Sequence, residues 1–332
     1  MSLKLVTIGG SAGSIQSLIE IMKQLPAKFD AAICIVVHIS PHSTSLLPQI
    51  FAAATPLPVA HAKNGQTLKA GHIYIAPPDH HLLIRKNTLE VVRGAKENHH
   101  RPAIDPLFRS ASVYFGSRHT AVLLSGYLDD GTAGLIEVRN SLGTIIIQDP
   151  DDTMYPDMLR NALQYVEPDH IAPLPAIIPL LVAHLEQATS DTVEPMTEAA
   201  AELEMVKVLH GDSRGKMPGK PVGLVCPECT GPLWEINDKR SQLIRFRCHE
   251  GHAYSPLSLA ASQNDSIEVA LWSALRALDE KAELAKKLSF KAEAMGQDQA
   301  MHRFIKQFEK TKSQANLIRQ VLEEGMTQKE SD

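Results

Sequence analysis

Cysteine and aromatic side chains are both scarce in this chain, which has four cysteines and 5% Phe, Trp and Tyr among 332 residues. Cys34 stands alone in an apolar stretch, whereas Cys226, Cys229 and Cys248 gather late. That distribution offers no disulfide framework, and the late group has the spacing of metal ligands instead. No uninterrupted apolar run reaches the roughly 20 residues that a bilayer-spanning helix needs, and no cleavable signal pattern opens the sequence. The expectation is a cytoplasmic protein with no membrane insertion. An excess of basic residues is missing too. Lys and Arg number 33 against 38 Asp and Glu, a net charge of −5, so there is no electrostatic footprint for nucleic acid.

Apolar residues make up 44% of the chain, and 332 residues exceed what one hydrophobic core usually organises, so more than one domain is expected. The stretch from Leu3 to Ser17, LKLVTIGGSAGSIQS, sets the frame. Leu5, Val6 and Ile8 predict a buried strand, Gly9, Gly10 and Gly13 permit a sharp turn, and Ile15, Leu18, Ile19 and Met22 continue at helical spacing. Gly9, Ser11 and Gly13 spell G-x-S-x-G in a strand-turn-helix context, which would lift the Ser11 hydroxyl to a helix N-terminus. The same glycines would also suit a phosphate-binding loop.

Strand and helix signals then alternate. AAICIVV (Ala31 to Val37), GHIYIA (Gly71 to Ala76), AVLL (Ala121 to Leu124) and GTIIIQ (Gly143 to Gln148) are apolar runs without alternation, as in a parallel sheet covered on both faces. Helices are predicted from Pro41 to Phe51, Asp105 to Tyr114, Met158 to Leu163 and Ala176 to Leu185, with a hairpin from Leu82 to Val92 turning near Lys86 and Asn87. Ser11, His38 and the pair Asp129/Asp130 each follow the carboxyl end of an apolar run, and in an open parallel sheet those ends share one crevice. A serine, a histidine able to take its proton and a carboxylate able to orient the imidazole are what acyl transfer requires. Read singly, His38 could instead cap a helix, and Asp130-Gly131 could be turn chemistry.

The pieces IGGSAGS, VVHISP, GHIYIAPPDHHLLI, IDPLFRSAS, LLSGYLDDGTAGL and IIIQDPDDTMYPDMLRNAL occur in order from Val6 to about Leu185. With them the chain resembles the catalytic domain of chemotaxis protein-glutamate methylesterases of the CheB type. The resemblance implies a nucleophile at Ser11, a base at His38, an orienting carboxylate at Asp130, and oxyanion donors at the backbone of Ala12 and Tyr127. It implies no cofactor for catalysis, and as substrate a methylated chemoreceptor or related helical sensory protein. Asp129 is read as a solvated turn residue. Gly126, Tyr127 and Leu128 stand where the family usually has Gly-Met-Gly. The receiver domain that often precedes this domain has no counterpart in the sequence, so any control by phosphorylation is expected from a signalling partner in trans.

Beyond Gln187 the composition turns to Ser, Thr, Glu, Gly, Lys and Pro, with one short helical patch around Ala199 to Leu209, and reads as a linker allowing semi-independent motion of the two halves. Cys226-Pro-Glu-Cys229 and Cys248-His-Glu-Gly-His252, separated by a two-strand spacing, predict a closed structural zinc site with ligands Cys226, Cys229, Cys248 and His252. His249 is the rival fourth ligand, disfavoured because it adjoins Cys248. Ile267, Leu271, Leu275, Leu278 and Leu288, then Ile305, Phe308, Ile318 and Leu322, recur at helical spacing around a break at Gly296 and predict a self-packed helical hairpin, a helical partner being the alternative. The pairs His80/His81 and His99/His100 are read as loop histidines without a metal role.

The expected architecture is therefore α/β, a doubly wound, mainly parallel sheet followed by a small zinc ribbon and an α-helical hairpin. Its parts are a catalytic domain over 1–187, a linker over 188–221, a ribbon over 222–256 and a helical region over 257–332. The expected function is hydrolysis of glutamate methyl esters, with glutamine deamidation as a second activity. The rival from another class is a signalling adaptor that binds partners through its ribbon and helices.

Overall fold

The computed structural model describes residues 2–42, 44–187, 219–237 and 242–329. The helical patch expected around Ala199 to Leu209 lies outside the described residues, as does most of the expected linker.

Seven parallel strands form the main sheet in the order β3-β4-β2-β1-β7-β8-β9. They are β1 Leu5–Gly10, β2 Ala32–Val37, β3 Val59–His61, β4 Ile73–Ile75, β7 His119–Leu123, β8 Thr144–Gln148 and β9 His170–Ala172. Successive side chains leave opposite faces of a strand. Leu5 of β1 therefore packs into one core with α3 (Ile104–Phe115), α4 (Thr132–Asn140) and α5 (Asp157–Leu163), while Val6 and Ile8 pack into a second core with α1 (Ser14–Gln24), α2 (Leu47–Ala52) and α6 (Leu174–Gln187). Helices on both faces explain why these strands read as unbroken apolar runs. The central β1 has β2 on one side and β7 on the other, so the chain leaves it at the point where the strand order reverses, where ligands bind in sheets of this kind.

Two details depart from the sequence expectations. The helix expected from Pro41 to Phe51 is only Leu47–Ala52. Pro48 accounts for this, because a proline inside a longer helix would clash with the carbonyl four residues before it, whereas in the first turn its missing N–H costs no bond. The strands β3 and β9 were not legible, since each has three residues at a sheet edge and buries little of itself. The expected hairpin is present as β5 (His81–Arg85) and β6 (Thr88–Val92), joined by Lys86 and Asn87.

A four-stranded antiparallel sheet follows, β10 (Lys220–Val225), β11 (Pro232–Asn237), β12 (Ile244–Cys248) and β13 (Ala253–Tyr254), with its own small core of Cys226, Leu233, Cys248, Tyr254 and Leu259. It does not stand apart from the main sheet. Residues Met1–Leu259 form one compact unit, within which Glu97 bridges to Ala253 of β13, so the ribbon belongs to the same unit as the main sheet.

The second unit, Ala260–Asp332, is a helical hairpin made by most of α7 (Pro256–Ala294) and by α8 (Asp298–Lys329). Gly296, at φ 64°, lies between them. Leu275, Ala315 and Leu322 are buried with Leu271, Leu278 and Ile318 against them, and Asp279 pairs with Lys312 at 3.3 Å and Arg319 at 3.0 Å. Among the described residues no helix is long and apolar enough to cross a membrane.

Candidate active site

The turn after β1 is shaped by its glycines. Gly13 takes φ 77° as the N-cap of α1, and a side chain at Gly10 would press to 2.4 Å from the Ser14 Cβ. Ser11 sits between them, its N–H donating to the Ser125 carbonyl at 2.9 Å. That bond ties the end of β1 to the loop beyond β7. On the other side the His38 N–H donates to the Gly10 carbonyl at 3.2 Å, so the end of β2 is held in register.

The three side chains meet. The Ser11 hydroxyl lies 3.0 Å from His38 Nδ1, and His38 Nε2 lies 2.7 Å from Asp130 Oδ2. The imidazole and carboxylate are almost fully buried, at 6% and 2% exposure, so their interaction is little screened by water. With Asp130 ionised, Nε2–H donates to it and the Nδ1 lone pair faces the serine hydroxyl.

Asp130 is held by five donors. Besides His38, its Oδ2 accepts from the Ile104 N–H at 2.7 Å, and its Oδ1 accepts from Asn98 Nδ2 at 2.9 Å, from the Gly131 N–H at 3.0 Å and from the Asp105 N–H at 3.3 Å. Ile104 and Asp105 open α3, so the carboxylate also sits at the positive end of a helix dipole. Burial alone would raise its pKa, but the His38 hydrogen bond and charge and the Ile104 N–H hold it well below the usual carboxylate range. Asp105 lies behind it, accepting from Asn98 Nδ2 at 2.8 Å and from the Gly134 N–H at 2.6 Å. Burial first, then the Asp130 charge, pushes Asp105 well up. Of two neighbouring carboxyls, the fold favours the charge on the one that faces histidine.

Two residues read as peripheral belong to this site. Asp129 is not a solvated turn residue: it is 4% exposed and its Oδ1 accepts from Ser255 Oγ at 2.7 Å. Burial pushes its carboxyl up to about 6, against the Ser255 hydrogen bond and with the help of the Asp130 charge. His100 is no mere loop histidine either, since its ring stacks on His38 with centroids 3.6 Å apart and planes 13° from parallel. Burial, then the His38 charge, lowers its pKa to about 3, so it is neutral. Neither residue carried a local signal. By contrast His81 is buried in the fold, its Nε2 donating to the Ala95 carbonyl at 2.8 Å while its Nδ1 accepts from the Ala103 N–H at 3.2 Å.

Ala12 follows the serine directly in the chain, and Tyr127 follows Gly126. A side chain at Gly126 would lie 2.7 Å from the Ser11 Cβ, so Tyr127 begins where the β7 loop touches the serine turn.

Comparison with known proteins fits this arrangement. The description "CheB methylesterase" covers residues 6–181. The chain belongs to the CheB methylesterase family. It is 32% identical over 183 residues to a protein of Leptospira interrogans serogroup Icterohaemorrhagiae serovar copenhageni provisionally named a protein-glutamate methylesterase/protein-glutamine glutaminase, a match to 55% of this chain and 95% of that protein. It is 33% identical over 187 residues to protein-glutamate methylesterase/protein-glutamine glutaminase 2 of Xanthomonas campestris pv. campestris, spanning 55% of this chain and 53% of that relative's length. The crystal structure of the Thermotoga maritima CheB methylesterase catalytic domain superimposes with a TM-score of 0.52 at 32% identity, covering 55% of this chain and 99% of that one. In this CheB domain Leu128 has φ 60°, a left-handed conformation that favours glycine, and Asn161 Nδ2 donates to its carbonyl at 2.7 Å.

The ribbon, outside the matched residues, brings one ligand atom from each of Cys226, Cys229, Cys248 and His252 to within 4.8 Å of one another. The Cys229 and Cys248 sulfurs are 3.6 Å apart, and Cys248 Sγ is 3.4 Å from His252 Nδ1. Those edges are close to the roughly 3.8 Å sulfur separation of a tetrahedral thiolate site with metal-sulfur bonds of about 2.3 Å, so the donor set suits a metal ion. His249 turns away and sets its ring edge-on to Trp234, 4.2 Å between centroids.

Proposed function

We propose that the chain is a protein-glutamate methylesterase, and that the same acyl centre also deamidates glutamine. The observation that carries this reading is the hydrogen-bonded series Ser11, His38 and Asp130 on the carboxyl rim of the sheet. In the proposed cycle Ser11 Oγ attacks the carbonyl carbon of a glutamate methyl ester while His38 Nδ1 takes its proton. The same nitrogen then protonates the departing methanol, leaving an acyl-enzyme. Water attacks next, again giving its proton to His38, and the glutamate carboxylate is released with Ser11 restored. Asp130, kept ionised, fixes the Nε2–H tautomer and stabilises the imidazolium. The Ala12 and Tyr127 N–H groups and the α1 N-terminus hold the oxyanion, each donor being worth about 3 to 4 kcal/mol in comparable sites. For an amide side chain the leaving group is ammonia, and the tetrahedral chemistry is unchanged. The names of the Leptospira and Xanthomonas relatives pair the same two activities.

The substrate proposed is a methylated chemoreceptor or similar helical sensory protein met in the cytoplasm. Cys226, Cys229, Cys248 and His252 are proposed to hold one zinc ion that ties the ribbon's two knuckles together, with no ligand position left for water. Methanol release from methylated receptor fragments by the purified chain tests the reading. Turnover by wild type and none by Ser11→Ala is expected, and an inactive wild type defeats it.

A further inference from the structure

We propose that the metal-binding ribbon is a working part of the catalytic site, with Asn98 as the positioning residue through which it acts on Asp130. This rests on the esterase reading given above, and goes beyond it in joining two modules that the sequence keeps apart.

Asn98 divides its side chain between them. Its Nδ2 spends both protons on carboxyl oxygens, of Asp130 at 2.9 Å and Asp105 at 2.8 Å. Among the described residues its Oδ1 accepts from the Ser255 N–H at 3.1 Å and from Ser258 Oγ at 3.0 Å. An amide can turn end over end at little steric cost. Turned, Asn98 would aim its oxygen at the Asp130 carboxylate and withdraw a donor from it. The two donors from beyond the ribbon make the productive sense the one in which every polar atom is satisfied. The backbone is locked likewise, because the Asn98 N–H donates to the Ala253 carbonyl at 2.8 Å and the Ala253 N–H to the Lys96 carbonyl at 3.2 Å.

The metal ligands govern those contacts by chain adjacency. His252 is followed by Ala253, Tyr254 and Ser255, and Cys248 is preceded by Arg247. Arg247 is itself buried against Glu97, the residue before Asn98, at 3.0 Å, and Glu97 also accepts from Arg109 of α3 at 2.9 Å. Ser255 Oγ meanwhile donates to Asp129, the neighbour of Asp130. A ribbon without its metal loses the constraint that places Arg247 and Ala253 to Ser255, and with it the fixed sense of Asn98.

The test uses the full metal-loaded chain, p-nitrophenyl acetate as a small ester, and the downfield proton NMR resonance of His38 Nε2–H, assigned by its absence in His38→Gln. Asn98→Ala is expected to lower kcat by about 10- to 100-fold with little change in KM, because the catalytic groups are displaced and the ester's contacts are not. It is also expected to shift or broaden the His38 proton. Ser258→Ala, which removes one donor to Asn98 Oδ1 and nothing from the triad, should do the same to a smaller degree, and decides the matter where Asn98→Ala fails to fold. Stripping the metal with a chelator should reproduce the loss and the proton shift while the far-UV spectrum of the main domain persists. Unchanged kcat and an unchanged proton in Ser258→Ala and in metal-stripped protein would overturn the proposal. A wild-type chain that shows the His38 proton yet hydrolyses no ester would defeat the esterase reading instead, and the proton would still decide the role of the ribbon.

Discussion

His38 and His100 lie face to face, 3.6 Å between ring centroids, with His100 held neutral beside the histidine proposed as base. A neutral ring can shield and orient the imidazole without competing for its proton. His100→Phe should therefore retain most of the esterase activity, whereas His100→Ala should lose about tenfold in kcat, in line with the 0.5 to 1.5 kcal/mol typical of an aromatic pair. Steady-state kinetics of the two variants checks this, and equal losses would show that the His100 nitrogens matter more than its ring.

His100 and His119 share a pH signature. Both have pKa values lowered by burial from 6.5 to about 3, so below pH 6.5 the unfolded chain binds protons that the folded one refuses. Their contribution to stability is intact above pH 6.5 and declines as pH falls towards 3. Urea denaturation at a series of pH values should show His100→Phe losing less stability than wild type between pH 7 and 4.

Ser11→Ala and His38→Ala should each reduce kcat by about 10⁴-fold or more, and the double variant should be little worse, because the pair acts as a unit. Asp130→Asn should cost as much activity through the wrong His38 tautomer. It should also destabilise the protein, since Asp130 receives the first two N–H groups of α3. Kinetics with thermal melts separates the two effects. Additive losses in the double variant would argue against the assigned roles.

Asp129 has the opposite pH sign. Its carboxyl is raised from 3.8 to about 6, so the folded state holds a proton that the unfolded state gives up between those values, and the fold weakens as pH rises from 3.8 through about 6. Asp129→Asn keeps an acceptor for Ser255 without the charge. It should raise stability at pH 8 by up to about 3 kcal/mol, a gain that disappears near pH 4. Denaturation midpoints at the two pH values test this.

Glu97 stands between Arg109 and Arg247, all three nearly inaccessible to water. Breaking such a buried set from one side is expensive, so Arg247→Met should cost about 3 kcal/mol or more. The double variant Glu97→Gln/Arg247→Met should cost less than the sum of its parts. Chemical denaturation of the full chain measures both.

Local residue patterns were enough to determine the parallel sheet, the serine turn, the strand-end positions of His38 and Asp130, and the Cys226, Cys229, Cys248, His252 set. The physical reason is that unbroken apolar runs require a sheet covered on both faces, a G-x-S-x-G turn needs only its own glycines, and metal knuckles close over three or four residues. Tertiary structure alone decided the burial of Asp129, the stack of His100 on His38 and the docking of the ribbon. Asn98 and Ser255 are 157 residues apart, and Arg247 lies 150 residues from Glu97. Short polar residues at such separations have no period and no local partner to reveal them. Their placement follows only from the side of Asp130 against which the folded ribbon comes to rest.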